Sequence, residues 1–89
     1  MAHVVTCFVR ERGKILLVRR SDTAGTYPDR WAGISGYVEG DPRDTERDAR
    51  RELREEVDLT DADLELVRAG DSLAVDDEVG SFTVHPFLF

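Results

Sequence analysis

Arg51-Glu52-Leu53-Arg54-Glu55-Glu56 sets three carboxylates within little more than one helical turn. Crowded carboxylates repel one another and lose stability unless a positive charge lies among them. At about 100° per residue on an ideal helix, Glu55 falls about 60° to one side of Glu52 and Glu56 about 40° to the other. All three share one arc. Ala49, Leu53 and Val57 occupy the adjacent arc at i, i+4 and i+8, the spacing of a buried face. Arg47, Arg50 and Arg54 gather roughly opposite, so the helix sorts into acidic, apolar and basic stripes. A hard divalent cation held through oxygen suits such an acidic stripe. The plain alternative is a solvated surface helix, in which i,i+4 pairs such as Arg51 with Glu55 add a few tenths of a kcal/mol, roughly 0.3–0.5 each.

Upstream, Trp31-Ala32-Gly33-Ile34-Ser35-Gly36-Tyr37-Val38-Glu39-Gly40 spaces three glycines within eight residues, beside Trp, Tyr and another Glu. Such a segment turns tightly or approaches something closely. Thr45-Glu46-Arg47-Asp48 then fits the S/T-x-x-D/E capping pattern and marks helix entry. Asp48 also lies one turn before Glu52 on the acidic face, so a capping role and a supporting role beneath the glutamates compete for it.

Gly36 through Leu59 resembles the Nudix box, G-x5-E-x7-R-E-U-x-E-E-x-G-U with U aliphatic. Its R-E-U-x-E-E core stands here as Arg51, Glu52, Leu53, Glu55 and Glu56, and Leu59 is the closing aliphatic. Ile15-Leu16-Leu17-Val18-Arg19-Arg20-Ser21 is similar to the family's second strand, and Trp31-Ala32-Gly33 to its approach to the glycine loop. The chain departs from the pattern in three ways. Gly36 to Arg51 is one residue longer than the pattern; the middle Glu falls on Pro42 or Arg43 according to the end counted from, with Asp41 and Asp44 the nearest acids; and Asp58 replaces the Gly after the helix. Asp tolerates the left-handed conformation better than most residues.

The resemblance implies Mg²⁺ or Mn²⁺ held by Glu55 and Glu56, joined by Glu52 and by the Gly36 carbonyl. It implies Glu52 as base or water-orienting group, with Glu55 beside it and Arg51 holding the carboxylates. It further implies hydrolysis of a phosphoanhydride in a nucleoside-diphosphate-linked substrate. Arg19 and Arg20 are candidates to meet substrate phosphates, and Glu39 is a candidate substrate contact from the loop. The alternative is a weak or catalytically silent nucleotide-binding module of a larger protein. A third reading is an acidic structural domain with no site.

Eighty-nine residues with 40% apolar side chains fit one small globular domain. A net charge of −7 argues against a general nucleic-acid surface. Eleven Arg against one Lys, with eleven Asp and eight Glu, suggest a salt-adapted chain or a GC-rich genome. The single cysteine, Cys7, excludes an internal disulfide and is compatible with a reducing cytoplasm; its alternation with Val5 and Val9 predicts burial. No apolar run reaches a membrane span, and no signal peptide opens the chain. The expected partner is a small nucleotide, with no nucleic acid or membrane; a homodimer or fusion to a further domain stays open.

Periodicity predicts a strand over His3 to Arg10, a turn at Glu11–Lys14, and a strand over Ile15 to Arg19. A loop follows to Arg30, then a short strand or bulge from Trp31 to Val38 and a helix from about Thr45 to Val57. Later strands are expected at Leu64 to Ala69 and Ser81 to Phe89, with an acidic loop around Asp76, Asp77 and Glu78 between them. The fold class is therefore α/β in α+β layers, a Nudix-like mixed sheet flanked by one helix. Residues 1–89 read as a single domain, truncated or the front of a larger protein, because the resemblance implies a further strand and helix covering the sheet. Tyr27, Trp31 and Tyr37 could stack a base, with core packing the expected fate of Trp31. His85, beside Pro86, reads as structural.

Overall fold

Val5, Cys7 and Val9 alternate with Val4, Thr6 and Phe8, and a two-residue period sends the two sets to opposite faces of a strand. The computed structural model describes residues 2–19, 30–77 and 80–89, and it forms this strand as β1 (Ala2–Glu11). Arg12 and Gly13 both take positive φ, 51° and 77°, the pairing a two-residue hairpin with a primed turn requires. β2 (Lys14–Leu16) returns antiparallel, with Glu11 opposite Lys14. The strand expected to run unbroken to Arg19 stops at Leu17. β3 (Val18–Arg19) leaves β1 and pairs instead with β4 (Trp31–Ala32) as a separate ribbon. Its two halves thus serve different partners, which apolar periodicity does not encode.

β5 (Ile34–Tyr37) lies antiparallel to β1, setting Ile34 opposite Cys7 and Gly36 opposite Val5. After the helix come β6 (Arg68–Ala69), β7 (Leu73–Asp77) and β8 (Gly80–Leu88). β8 runs parallel to β1, pairing residues 2–8 with 82–88, and carries β7 and β6 antiparallel on its other edge. The sheet is therefore mixed. Pro86 has no N–H to donate, and it sits where β8 exchanges β7 for β6, a break at which no ladder donor is needed.

Two expectations are corrected here. Asp76 and Asp77 belong to β7, opposite Ser81 and Gly80, rather than to an acidic loop; Glu78 lies outside the described residues. The strand expected from Leu64 shrinks to Arg68–Ala69, preceded by a 3₁₀ turn at Asp61–Asp63. That turn carries a capping box the sequence reading missed, with Thr60 N–H and Oγ donating to Asp63 Oδ2 at 2.9 and 3.0 Å.

α1 (Glu46–Val57) packs one face of the sheet, over β5 and β1. Ala49 and Leu53 are fully buried, joined by Val5, Cys7, Ile34, Leu64, Phe87 and Phe89, with Val57 at the margin. Full burial of a side chain like Leu53 contributes about 1.5–3 kcal/mol. The helix ends on Asp58 at φ 60° and ψ 31°, the left-handed residue expected at this position. Cys7 Sγ donates to the Ala49 carbonyl at 3.6 Å. Burial, then the charge of Glu52, push its thiol up to about 12, so it stays protonated. Among the described residues no helix is long and apolar enough to cross a membrane.

His85, expected to be structural, packs against a neighbour in β1. Its ring stacks on His3 with centroids 5.2 Å apart, and His3 Nδ1 meets its Nε2 at 2.9 Å. Burial and then the neighbouring His3 lower the His85 pKa from 6.5. The folded state thus disfavours protonated His85. The stability this confers is full above pH 6.5 and is lost as pH falls through the lowered value. Thermal unfolding followed by circular dichroism should show the midpoint falling as pH drops below 6.5, with a shallower fall in His85→Phe. Identical slopes in the two proteins would remove His85 from the account.

Candidate functional site

Glu52 points from α1 straight at the backbone of β5. A Cβ added to Gly36 would overlap the Glu52 carboxylate outright, so only glycine leaves room for it there. The Glu52 side chain is 13% exposed. Burial raises its pKa from the ordinary Glu value; Arg51 pulls it back, and Glu55 and Glu56 push it further up. A carboxylate held against its own solvation, with two more beside it, leaves this corner of the helix short of positive charge.

Arg51 is the one cation of the described residues bonded into the cluster. Its Nη2 donates to Glu52 Oε1 and to the Tyr37 carbonyl, both at 3.1 Å. Its Nη1 donates to Asp48 Oδ1 at 2.8 Å and lies 3.0 Å from Glu39 Oε2. Glu55 Oε1 is 3.9 Å from its Nε. Four carboxylates thus surround one guanidinium, and charge-assisted bonds of this kind fix its plane. Arg51, expected from sequence to hold carboxylates, is bonded to Glu52, and its partners extend beyond the motif to Asp48 and Glu39.

Asp48 does not cap the helix. Thr45 takes helical φ/ψ and makes no side-chain capping bond, while Asp48 turns inward and is 2% exposed. Its Oδ1 accepts from the Glu39 N–H at 3.0 Å as well as from Arg51. Its Oδ2 is buried and accepts no hydrogen bond from the described residues. An unsatisfied buried acceptor costs about 1–3 kcal/mol.

The loop acids behave differently. Asp41 is engaged with Arg43, accepting from its N–H and its guanidinium at 2.9–3.2 Å, and the pair is solvent-facing. Asp44 closes the same turn through its N–H to the Asp41 carbonyl at 2.9 Å. Neither reaches Arg51 in place of the motif's middle Glu.

Glu55 and Glu56 are exposed on the helix surface. Among the described residues, no three His, Cys, Asp or Glu side chains converge closely enough to hold a metal ion. The physical reason is plain: Glu52 and, more loosely, Glu55 are drawn to Arg51, while Glu56 stands exposed on the helix surface. The donor chemistry nevertheless fits a hard cation. The groups are all oxygens, they are more negative than Arg51 alone offsets, and the most buried of them is destabilised in its charged form.

A cavity of about 640 Å³ opens on the sheet face opposite α1. Phe8, Trp31, Tyr37, Phe82 and Val84 form its apolar wall, and Arg30 brings a positive charge. Gly36 and Tyr37 line it too, so the cavity and the carboxylates lie on opposite faces of the sheet and meet along β5. Trp31 was expected in the core; it is 67% exposed, because β4 leaves the main sheet for the ribbon with β3. Tyr37 is 61% exposed. Arg30 was not singled out from sequence, although its place beside Trp31 at the end of the loop was the available signal. Arg19 sits in β3 opposite Trp31. Arg20 and Tyr27 lie outside the described residues.

The NUDIX domain family matches residues 1–87 of the chain. No curated protein matches it closely in sequence. The solution structure of the E. coli ORF135 protein is similar at 26% identity with a TM-score of 0.68, covering 98% of this chain and 59% of that one. C. elegans Ap4A hydrolase shares the fold at 22% identity and a TM-score of 0.61, over 98% of this chain and 64% of its own. The C-terminal domain of mouse MUTYH, in its complex with human PCNA, does so at 20% identity and 0.59, over 100% and 62%. The chain therefore spans less than two thirds of the length of each of these structures. A family match across nearly every residue, carried on a mixed sheet with its glutamate helix laid against a glycine, makes this chain a member of the Nudix family.

Proposed function

We propose that the chain is a divalent-metal-dependent hydrolase that cleaves a phosphoanhydride bond in a nucleoside-diphosphate-linked substrate. The observation that carries the reading is the Glu52 carboxylate, pressed against Gly36, fixed by Arg51 and made costly to ionise by its burial and by Glu55 and Glu56. Glu52, Glu55, Glu56 and the Gly36 carbonyl would hold Mg²⁺ or Mn²⁺. Bound there, the ion would offset phosphate charge and acidify water for attack on phosphorus.

The chain's own groups do the rest. Arg51 fixes Glu52 in one orientation, and Glu52, with its raised pKa, is suited to accept a proton from the attacking water. Trp31, Tyr37 and Phe82 offer flat apolar surfaces to a base, while Arg30 and Arg19 offer charge to phosphates. The C. elegans neighbour is an Ap4A hydrolase, which supports the phosphoanhydride class while leaving the leaving group open.

The second reading, a nucleotide-binding module without turnover, is favoured by the failure of three carboxylates to converge among the described residues. The two are separated by incubating the purified chain with a panel of nucleotide pyrophosphates and Mg²⁺ at low and high salt, following phosphate release. The hydrolase reading expects turnover that falls by about 10²-fold or more in Glu56→Gln, with folding unchanged because Glu56 is exposed. Binding of the same nucleotides by a folded, inert chain would instead establish the module.

A further inference from the structure

We propose that Asp48 is a positioning residue of this site: it sets the plane of Arg51, and through Arg51 the place of the Glu52 carboxylate. The inference rests on the hydrolase reading for its kinetic consequence, and on geometry alone for its structural one.

The loop cannot do this work. The motif's middle acid falls on Pro42 or Arg43 according to the end counted from, and the loop's Asp41 is engaged with Arg43 away from Arg51. Glu39 does touch Arg51 Nη1, but its side chain is three quarters exposed, so solvent screens the pair. Of the two described acids that meet Arg51 Nη1, Asp48 is the buried one. A single oxygen, Oδ1, joins three parts: the helix that carries it, the Glu39 N–H of the loop, and Arg51 Nη1. With Nη1 fixed by Asp48, the planar fork leaves Nη2 directed at Glu52 and the Tyr37 carbonyl. The extra loop residue is thereby bridged from the helix side.

Asp48 is held through one of its two oxygens. Its Oδ2 is buried with no donor from the described residues, and a half-satisfied buried carboxylate is a poor stabiliser. The charge is useful for what it does to Arg51.

Asp48→Asn keeps the shape and one acceptor while removing the charge. Glu46→Gln removes an equal charge from the same helix turn, where Glu46 pairs with Arg50. Three readouts are needed on the 89-residue chain: kcat and KM of Mg²⁺-dependent hydrolysis, the thermal midpoint, and the nitrogen-15 NMR signals of the Arg51 side chain in metal-free protein. Asp48→Asn is expected to lower kcat by about 10–100-fold, the scale of a misplaced group, with KM nearly unchanged. Its midpoint should hold or rise, and the Arg51 signals should broaden or shift. Glu46→Gln should leave kcat and the Arg51 signals as in the parent.

Near-parental kcat with unmoved Arg51 signals in Asp48→Asn overturns the proposal. A kcat loss that merely tracks a lowered midpoint, with Arg51 unmoved, does so as well. If the parent chain turns nothing over, the hydrolase reading fails, and the Arg51 signals alone decide whether Asp48 positions that side chain.

Discussion

Under the proposed hydrolase reading, Glu52→Gln is expected to abolish turnover and, in the same molecule, to make the metal-free chain harder to melt at neutral pH. The loss of turnover should be about 10²–10⁴-fold, the range for removing a positioned acid–base group. The gain in stability follows from the sign of the pKa shift. Glu52 is raised above the ordinary Glu value of 4.5, chiefly by burial. A raised folded-state pKa means the favourable contribution is full below pH 4.5 and is lost as pH climbs through the raised value. At pH 7 the folded chain therefore carries an ionised carboxylate that it would hold more cheaply neutral. Gln keeps an Oε1 acceptor for Arg51 and sheds the charge. Thermal melts in chelator at pH 7 and at pH 4.5 would test this, the advantage of Gln shrinking at the lower pH. A Gln variant that melts below the parent at pH 7 would mean that the attraction of Arg51 outweighs the burial penalty.

Gly36→Ala approaches the same group from the other side. It leaves the Glu52 charge intact and takes away its space, because the new methyl would occupy the carboxylate's position. β5 cannot retreat, being paired to β1 with Gly36 opposite Val5. The flexible end of Glu52 must yield, breaking its bond to Arg51 Nη2 and moving toward water. Turnover should fall by about 10²-fold for a displaced catalytic group. Stability should hold or rise, since the displaced carboxylate regains solvation and Ala replaces Gly in a strand. Kinetics together with a melt would decide, and turnover at the parent's rate in Gly36→Ala would show that Glu52 need not sit against the strand. The two variants form a pair: one keeps the place and loses the charge, the other keeps the charge and loses the place.

Much of this was legible in the sequence, for local reasons. The 3.6-residue period placed Ala49 and Leu53 in the core and the glutamates on one arc, and α1 begins within one residue of where it was expected. Asp58 announced its left-handed turn through its residue type. Gly36 was picked out by its place in the motif, although the need for glycine there comes from the Glu52 carboxylate, which only the packed structure reveals. Long-range choices were not legible. Nothing in Ile15–Arg19 says that its two halves pair with different strands, and exposed Trp31 follows from that switch. Asp76 and Asp77 read as an acidic loop, because the strand character of β7 comes from β8 alongside. Asp48 was correctly seen on the acidic face, but whether a helix-entry Asp caps the backbone or turns inward depends on whether an Arg and a loop N–H wait below it.

The parallel pairing of β1 with β8 has a kinetic consequence. Residues 2–8 must find residues 82–88, so the middle of the sheet closes the longest loop in the chain. Loop-closure entropy must be met before those contacts return anything, and such topologies fold slowly for their size. α1 and the β1–β2 hairpin can form early from nearby residues, while the edge of β1 that β8 will occupy stays open. An open strand edge beside Val4, Val5 and Phe8 invites pairing with another chain. Until β8 arrives, that edge is an aggregation hazard which the finished sheet closes.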